Sequence, residues 1–60
     1  MTAKERAAYL VEHYQYKIGI KDFQKSKHCA IFTAHQQIKE TYELRRISYL
    51  KEVINEIEKL

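Results

Sequence analysis

The sequence has no proline, no tryptophan, a single glycine and a single cysteine. Because Cys29 has no second thiol to pair with, an intrachain disulfide is excluded. No apolar run approaches the ~20 residues of a membrane span, and the first residues lack the apolar core of a signal peptide. A lone thiol without an export signal is typical of the reducing cytosol, so we expect a cytoplasmic protein that does not enter a membrane.

The shortness of the chain limits the interior that it can build. A domain of 60 residues buries only about 60% of the surface that its unfolded chain exposes, which leaves it marginally stable alone. No cluster of Cys and His has zinc-site spacing, so a structural metal is not expected. Oligomerisation is the remaining common source of stability. We therefore expect residues 1–60 to form one helical domain that assembles into a homo-oligomer.

Positive charge is concentrated in the middle of the chain, although the net charge is only +3. Residues 17–39 contain five lysines and one acidic residue, whereas residues 40–60 contain four basic and five acidic residues. Clustered lysines raise the local positive potential and favour an anionic partner. The low net charge and the acidic last third of the chain disfavour nucleic acid as that partner.

Apolar residues recur at intervals of three and four, which predicts an all-α protein. We expect helices at about residues 3–18, 23–40 and 45–59, packed as a helical hairpin or a three-helix bundle, with the second helix at its centre. Thr2 and Glu5 have the form of a capping box at the first helix. Gly19 is suited to end that helix, and Asp22 to cap the next. The predicted core-facing stripes are Ala3, Ala7, Leu10, Val11, Tyr14 and Ile18; Phe23, Ala30, Ile31, Ala34, Ile38 and Tyr42; and Ile47, Leu50, Val53, Ile54, Ile57 and Leu60.

The connection between the second and third helices has two interpretations, because no glycine or proline lies between Ile38 and Ile47. On one continuous helix, the second and third stripes would lie roughly 120° apart. This offset favours a tight turn near residues 40–44, capped by Thr41. The alternative is one long helix that turns its second apolar face toward another copy.

Aromatic and basic residues surround the predicted turn at Gly19. An aromatic ring can stack on a base while neighbouring lysines hold phosphates, which makes this cluster the candidate site for a nucleotide or another anion. No P-loop or glycine-rich fingerprint accompanies it, so solvated lysines around a loop are the alternative. The candidate residues are Tyr16, Lys17, Lys21, Lys25 and Lys27.

Several residues outside the core stripes are candidates for an interface. Phe32 points away from the alanines of its own helix, and Tyr9 and Tyr16 lie two turns apart on the outer face of the first helix. Tyrosine is favoured at interfaces because it combines a large apolar ring with a hydroxyl that tolerates water. The alternative is that the third helix covers Phe32. The full set of candidates is Tyr9, Tyr16, His28, Phe32, His35 and Lys39.

No arrangement of residues supports catalysis or metal binding. His28 and His35 are about 10 Å apart along a helix axis, too far to share one ion, and Cys29 points to another face. No Ser/His/Asp or Cys/His pairing can be formed from the spacing. We therefore expect a protein that is not an enzyme and that has no metal or other cofactor.

Four short segments give the chain a resemblance to small uncharacterised helical proteins of Bacteroidetes bacteria and their phages. The segments are MTAKE at residues 1–5, KHCAI at 27–31, YLKEV at 49–53 and EIEKL at 56–60. The chain departs from their pattern at Gln36 and Gln37, where an acidic pair is common, and at Leu50, where tryptophan is usual. The resemblance implies no activity, but it implies a phage-associated context and, for a phage-encoded protein, the host cytosol.

These observations together predict a non-enzymatic binding protein. In the phage-associated context that the resemblance implies, we expect the protein to sequester or block a host molecule. That molecule is either a protein or a defence-related signalling nucleotide bound in an oligomer. One alternative is a protein–protein interaction or assembly module without a small ligand, and a less favoured one is a nucleic-acid-binding protein.

Overall fold

The computed structural model describes residues 2–60, and the chain forms a small three-helix bundle. The helices are α1 (Ala3–Glu12), α2 (Phe23–Glu40) and α3 (Leu44–Lys59), and a π-helical turn (His13–Lys17) follows α1 directly. Residues 2–60 contain no β-strand. The all-α prediction, with the three-helix bundle as one of its two forms, is confirmed.

The first two helices begin at polar caps, as predicted. Thr2 Oγ1 accepts a hydrogen bond from the Glu5 N–H at 3.2 Å, and the Glu5 carboxylate accepts one from the Thr2 N–H at 3.2 Å. At α2, the Asp22 carboxylate accepts hydrogen bonds from the N–H groups of Gln24 at 2.9 Å and Lys25 at 3.3 Å. These caps satisfy N–H groups that have no acceptor within the helix.

The capping box at Thr2 predicts a pH dependence of stability. The hydrogen bond from the Thr2 backbone N–H, followed by that with the Thr2 side chain, lowers the pKa of Glu5 below its ordinary value of 4.5. A carboxyl group with a lowered pKa in the folded state stabilises the fold above its unfolded pKa, and this stabilisation is lost as pH falls through the folded pKa. Thermal unfolding followed between neutral pH and about pH 3 should therefore show a smaller loss of stability in Glu5→Gln than in the wild type. Equal losses in the two proteins would rule out a contribution from this carboxylate.

The end of the first helix differs from the prediction, because a π-helical turn replaces the last α-helical turn. The Ile18 N–H bonds to the His13 carbonyl at 3.1 Å, an i to i+5 spacing that defines a π-helical turn. Gly19 then adopts φ +85°, a left-handed conformation that glycine takes without steric penalty. The Ile20 N–H returns to the Tyr14 carbonyl at 3.0 Å, one residue wider than in a Schellman motif. Ile18, predicted in the core, is 58% exposed because the wider turn moves it off the apolar stripe.

The second and third helices are separate. Glu40 is the last residue of α2, and Thr41 Oγ1 accepts a hydrogen bond from the Glu43 N–H at 3.3 Å within the turn. Glu43 is the N-cap of α3 and makes no side-chain capping bond, so Thr41 braces the turn instead of capping α3. Tyr42, predicted on the inner stripe of α2, is 97% exposed because the chain leaves the helix before reaching it.

The centre of the bundle is α3, and the prediction that α2 is central is wrong. The largest fully buried apolar side chains, Leu50, Val53 and Ile57, all belong to α3, which packs against both other helices. The buried apolar residues of α2 are only Ala30 and Ala34, which contribute little volume. The remaining buried apolar residues are Ala7, Leu10 and Val11 of α1. Two further residues predicted in the core, Phe23 and Leu60, lie partly exposed at its edge.

Polar contacts fix the π-helical turn and the loop after it against α2. The Tyr14 hydroxyl hydrogen-bonds the Thr33 hydroxyl, which in turn donates to the Cys29 carbonyl at 3.0 Å. Ser26 is fully buried, and its hydroxyl donates to the carbonyls of Ile20 at 3.3 Å and Asp22 at 3.2 Å. Because buried hydroxyls need partners, these bonds hold the backbone around Gly19 in one position.

Candidate functional site

The outer side of α1 and the π-helical turn carries a shallow depression of about 160 Å³. It is lined by Tyr9, Glu12, His13, Tyr16 and Lys17. The Arg6 guanidinium lies 5.6 Å from the centre of the Tyr9 ring, and the His13 ring meets the neighbouring Tyr14 ring edge-on at 5.4 Å. These groups offer stacking, hydrogen bonding and ion pairing to a molecule placed on this surface.

A second depression, of about 170 Å³, adjoins the first and shares Glu12 and Tyr16 with it. Its apolar lining comes from α1, the π-helical turn, the start of α2 and the residue directly after α3. The residues are Ala8, Val11, Glu12, Gln15, Tyr16, Phe23 and Leu60. We call the continuous surface formed by Tyr9, Tyr16, Phe23 and Leu60 the aromatic face. Each of these four side chains is more than a third exposed.

The position of Tyr16 depends on the π-helical turn. Three of the five residues that line the first depression, His13, Tyr16 and Lys17, belong to this turn. Such turns are rare and occur frequently at functional sites. Tyr16 is 76% exposed, although it borders both depressions. The Tyr16 ring is large and mostly exposed, and hydrogen bonds fix the backbone that carries it. It is therefore available for contact with another molecule.

The predicted anion-binding residues are only partly brought together. Tyr16 and Lys17 line the same depression, and the Lys27 ammonium lies 5.8 Å from the centre of the Phe23 ring, on the aromatic face. Lys27 also donates to the Glu58 carbonyl at 3.5 Å. Lys21 and Lys25 are exposed in the loop and in the first turn of α2, and neither forms an ion pair within residues 2–60. Lys17 and Lys27 therefore border the aromatic face, and the five candidate residues are not brought into one pocket.

The N-terminus of α2 lies among these lysines, but its amide groups are already occupied. Asp22 accepts hydrogen bonds from two of the first N–H groups of the helix. A phosphate group would have to displace this carboxylate to reach them. An anion at this end of the molecule is therefore left with the lysine side chains alone.

The outer surface of α2 forms a second exposed strip, separate from the aromatic face. His28, Phe32, His35 and Lys39 are all exposed along it. Phe32 is 64% exposed, so α3 does not cover it. This excludes the alternative in which the third helix buries Phe32.

One concave surface is lined by residues that are not among the candidate site residues predicted from the sequence. It is lined by Arg6, Gln37, Arg46, Tyr49 and Leu50, drawn from all three helices. Their positions in the sequence gave no local pattern that would join them. The sequence contained one indication of this surface. The first turn of α3 contains arginines and no acidic residue, whereas acidic residues are usually preferred at a helix N-terminus.

Two further features are absent from residues 2–60. Among residues 2–60, no group of three or more His, Cys, Asp or Glu side chains is placed to hold a metal ion. No helix in that range combines the length and the apolar character that crossing a membrane requires. Comparisons with protein-family models, with curated proteins and with solved structures found no match.

Proposed function

We propose that this chain is a non-enzymatic binding protein that occupies a surface of a partner protein through its aromatic face. The observation that carries the proposal is the continuity of two depressions around Tyr16, which joins Tyr9, Phe23 and Leu60 into one exposed surface. Tyrosine and phenylalanine are enriched at the centres of interfaces, where a few buried rings supply most of the affinity.

The charges beside the aromatic face favour an acidic partner. Lys17 lines the first depression and Lys27 lies against Phe23. Glu12 also lines both depressions, so the charge beside Tyr16 is of both signs. A partner that inserts an apolar side chain beside Tyr16 and presents carboxylates to Lys17 and Lys27 fits this face. The resemblance to small phage-associated proteins supports a host protein in this role.

Native mass spectrometry of the protein purified from host lysate tests the proposal first. It gives the subunit number and identifies any retained protein or small molecule. The identified partner is then titrated against Tyr16→Ala, for which we expect affinity to fall more than tenfold, as for a buried interface tyrosine. Tyr42→Ala is the matched control, because Tyr42 is exposed in the α2–α3 turn and is expected to leave affinity unchanged.

Two results would contradict this assignment. Loss of affinity in Phe32→Ala with none in Tyr16→Ala would move the interface to the outer surface of α2. A homo-oligomer that retains no other molecule would favour the assembly function, in which the aromatic face meets a second copy.

A nucleotide held between copies of the chain is the second candidate function. The observation that favours it is the placement of Lys17 and Lys27 beside the exposed rings of Tyr16 and Phe23. In this version, Lys17→Glu and Lys27→Glu abolish nucleotide binding without unfolding the protein. In the protein-partner version, Lys17→Glu mainly slows association, because charges at the edge of an interface act on the approach of the partner.

A further inference from the structure

Five exposed residues follow one another along the outer side of α2, apart from the aromatic face. They recur at intervals of three and four, and we call them the basic strip: Lys25, His28, Phe32, His35 and Lys39. At 100° per residue they lie within an arc of about 80° and extend over about 21 Å of the helix. The centre of this arc lies about 180° from the buried side of α2, so the basic strip points directly away from the bundle.

The basic strip carries charge of one sign, although acidic residues are common elsewhere in the chain. All eight acidic residues lie outside residues 23–39. Within residues 2–60, neither Lys25 nor Lys39 forms an ion pair. The net charge of +3, which disfavours nucleic acid when the sequence is taken as a whole, therefore does not describe this surface. Clustered cations without a counter-charge favour an anionic partner.

Three flat rings lie between the two lysines of the basic strip. His28, Phe32 and His35 occupy successive turns of α2, and Phe32 is 64% exposed. None of these rings contacts another aromatic ring among residues 2–60. Phenylalanine and histidine rings stack on the unpaired bases of single strands, and every base has a face for such stacking. An acidic protein segment would pair with the lysines, but its carboxylates offer the three rings nothing to stack on.

We infer that the basic strip binds single-stranded nucleic acid without sequence preference. The phosphates pair with the ammonium groups of Lys25 and Lys39, and unpaired bases stack on the rings between them. Single-stranded RNA and DNA share these groups. The inference does not depend on the proposed function, because no residue of the basic strip belongs to the aromatic face.

Fluorescence anisotropy of labelled single strands of about eight nucleotides tests this site at neutral pH. Two lysine–phosphate contacts predict that the logarithm of the binding constant falls with the logarithm of the salt concentration at a slope of about −1.4. An abasic strand of the same length keeps the phosphates and lacks the bases. We expect it to bind at least about fivefold more weakly, the loss of one stacked base. RNA and DNA strands of one base sequence are titrated in parallel, and the tighter binder identifies the class of strand.

Matched variants separate the basic strip from other exposed rings and lysines. Phe32→Ala should weaken binding of the intact strand at least about fivefold and leave binding of the abasic strand unchanged. Tyr42→Ala removes a ring that is exposed in the α2–α3 turn and should change neither. Replacing both Lys25 and Lys39 by glutamine should abolish the salt dependence, whereas Lys51→Gln on α3 should retain it. Because all these side chains are exposed, thermal unfolding should show an intact bundle.

Three results would overturn the inference. The first is the absence of saturable binding of the intact strand by the wild-type protein. The second is equal binding of the intact and abasic strands, which would show that the rings do not contact bases. The third is displacement of the strand by an equal concentration of a polyglutamate peptide of the same charge, which would assign the basic strip to an acidic protein.

Discussion

Replacing Ile57 by alanine is expected to remove a large part of the stability of the bundle. Ile57 is 0% exposed and lies in the cluster formed with Leu10, Val11, Ala30 and Val53. Deleting three buried carbon atoms costs about 2–5 kcal/mol, because apolar transfer energy is lost and a cavity remains. A domain of 60 residues has a total stability of roughly 3–9 kcal/mol. Ile57→Ala therefore removes much of the available stability, and urea unfolding followed by circular dichroism should show a markedly lower midpoint.

Ile18→Ala is the control for this effect, because it makes the same chemical change on an exposed residue. The π-helical turn places Ile18 outside the core, so we expect a change within about 0.5 kcal/mol. A loss as large as that of Ile57→Ala would mean that Ile18 is buried. It would then favour a regular α-helix through residue 18, as the apolar spacing alone predicts.

The helices were predictable because their determinants are local. Thr2 and Glu5 satisfy each other's groups within one turn, and Asp22 reaches amides two and three residues away. Gly19 ends the first helix through its own backbone conformation. Signals of this kind act over a few residues and need no tertiary contact to operate.

The ends of the apolar stripes were not predictable, because they depend on where the regular helix stops. Spacing by 100° per residue places Ile18 and Tyr42 on inner faces, yet one follows a π-helical turn and the other lies beyond α2. Tyr14 lies within the π turn, and its hydroxyl hydrogen-bonds Thr33 on another helix. A partner 19 residues away in sequence leaves no local pattern.

The candidate sites also contain a part that local sequence pattern predicts and a part that depends on tertiary packing. Tyr9 and Tyr16 could be assigned to an outer surface from the periodicity of one helix. Their continuity with Phe23 and Leu60 depends on how the three helices pack. The residues that form a surface on one helix could therefore be predicted from the sequence. The residues that form a surface shared between helices could be identified only from the structure.

Replacing Ala30 by leucine is the second change expected to destabilise the bundle strongly. Ala30 is 0% exposed and belongs to the same buried cluster as Ala7, Val53 and Ile57. Protein interiors are close-packed, so three added carbon atoms have no space unless the helices move apart. Such overpacking costs about 1–3 kcal/mol. Urea unfolding should show a lower midpoint, because α2 meets the core through its small alanines.

Ala8→Leu separates overpacking from the mere addition of a larger side chain. Ala8 lines the second depression of the aromatic face, where added carbon atoms enter open space, so stability should change by no more than about 0.5 kcal/mol. Equal destabilisation by Ala8→Leu and Ala30→Leu would contradict the packing of α2 against the core. The same Ala8→Leu protein also bears on binding, since the new side chain fills the space beside Tyr16 that the partner is proposed to occupy. A folded variant with weakened partner affinity is therefore the result expected from the proposed function.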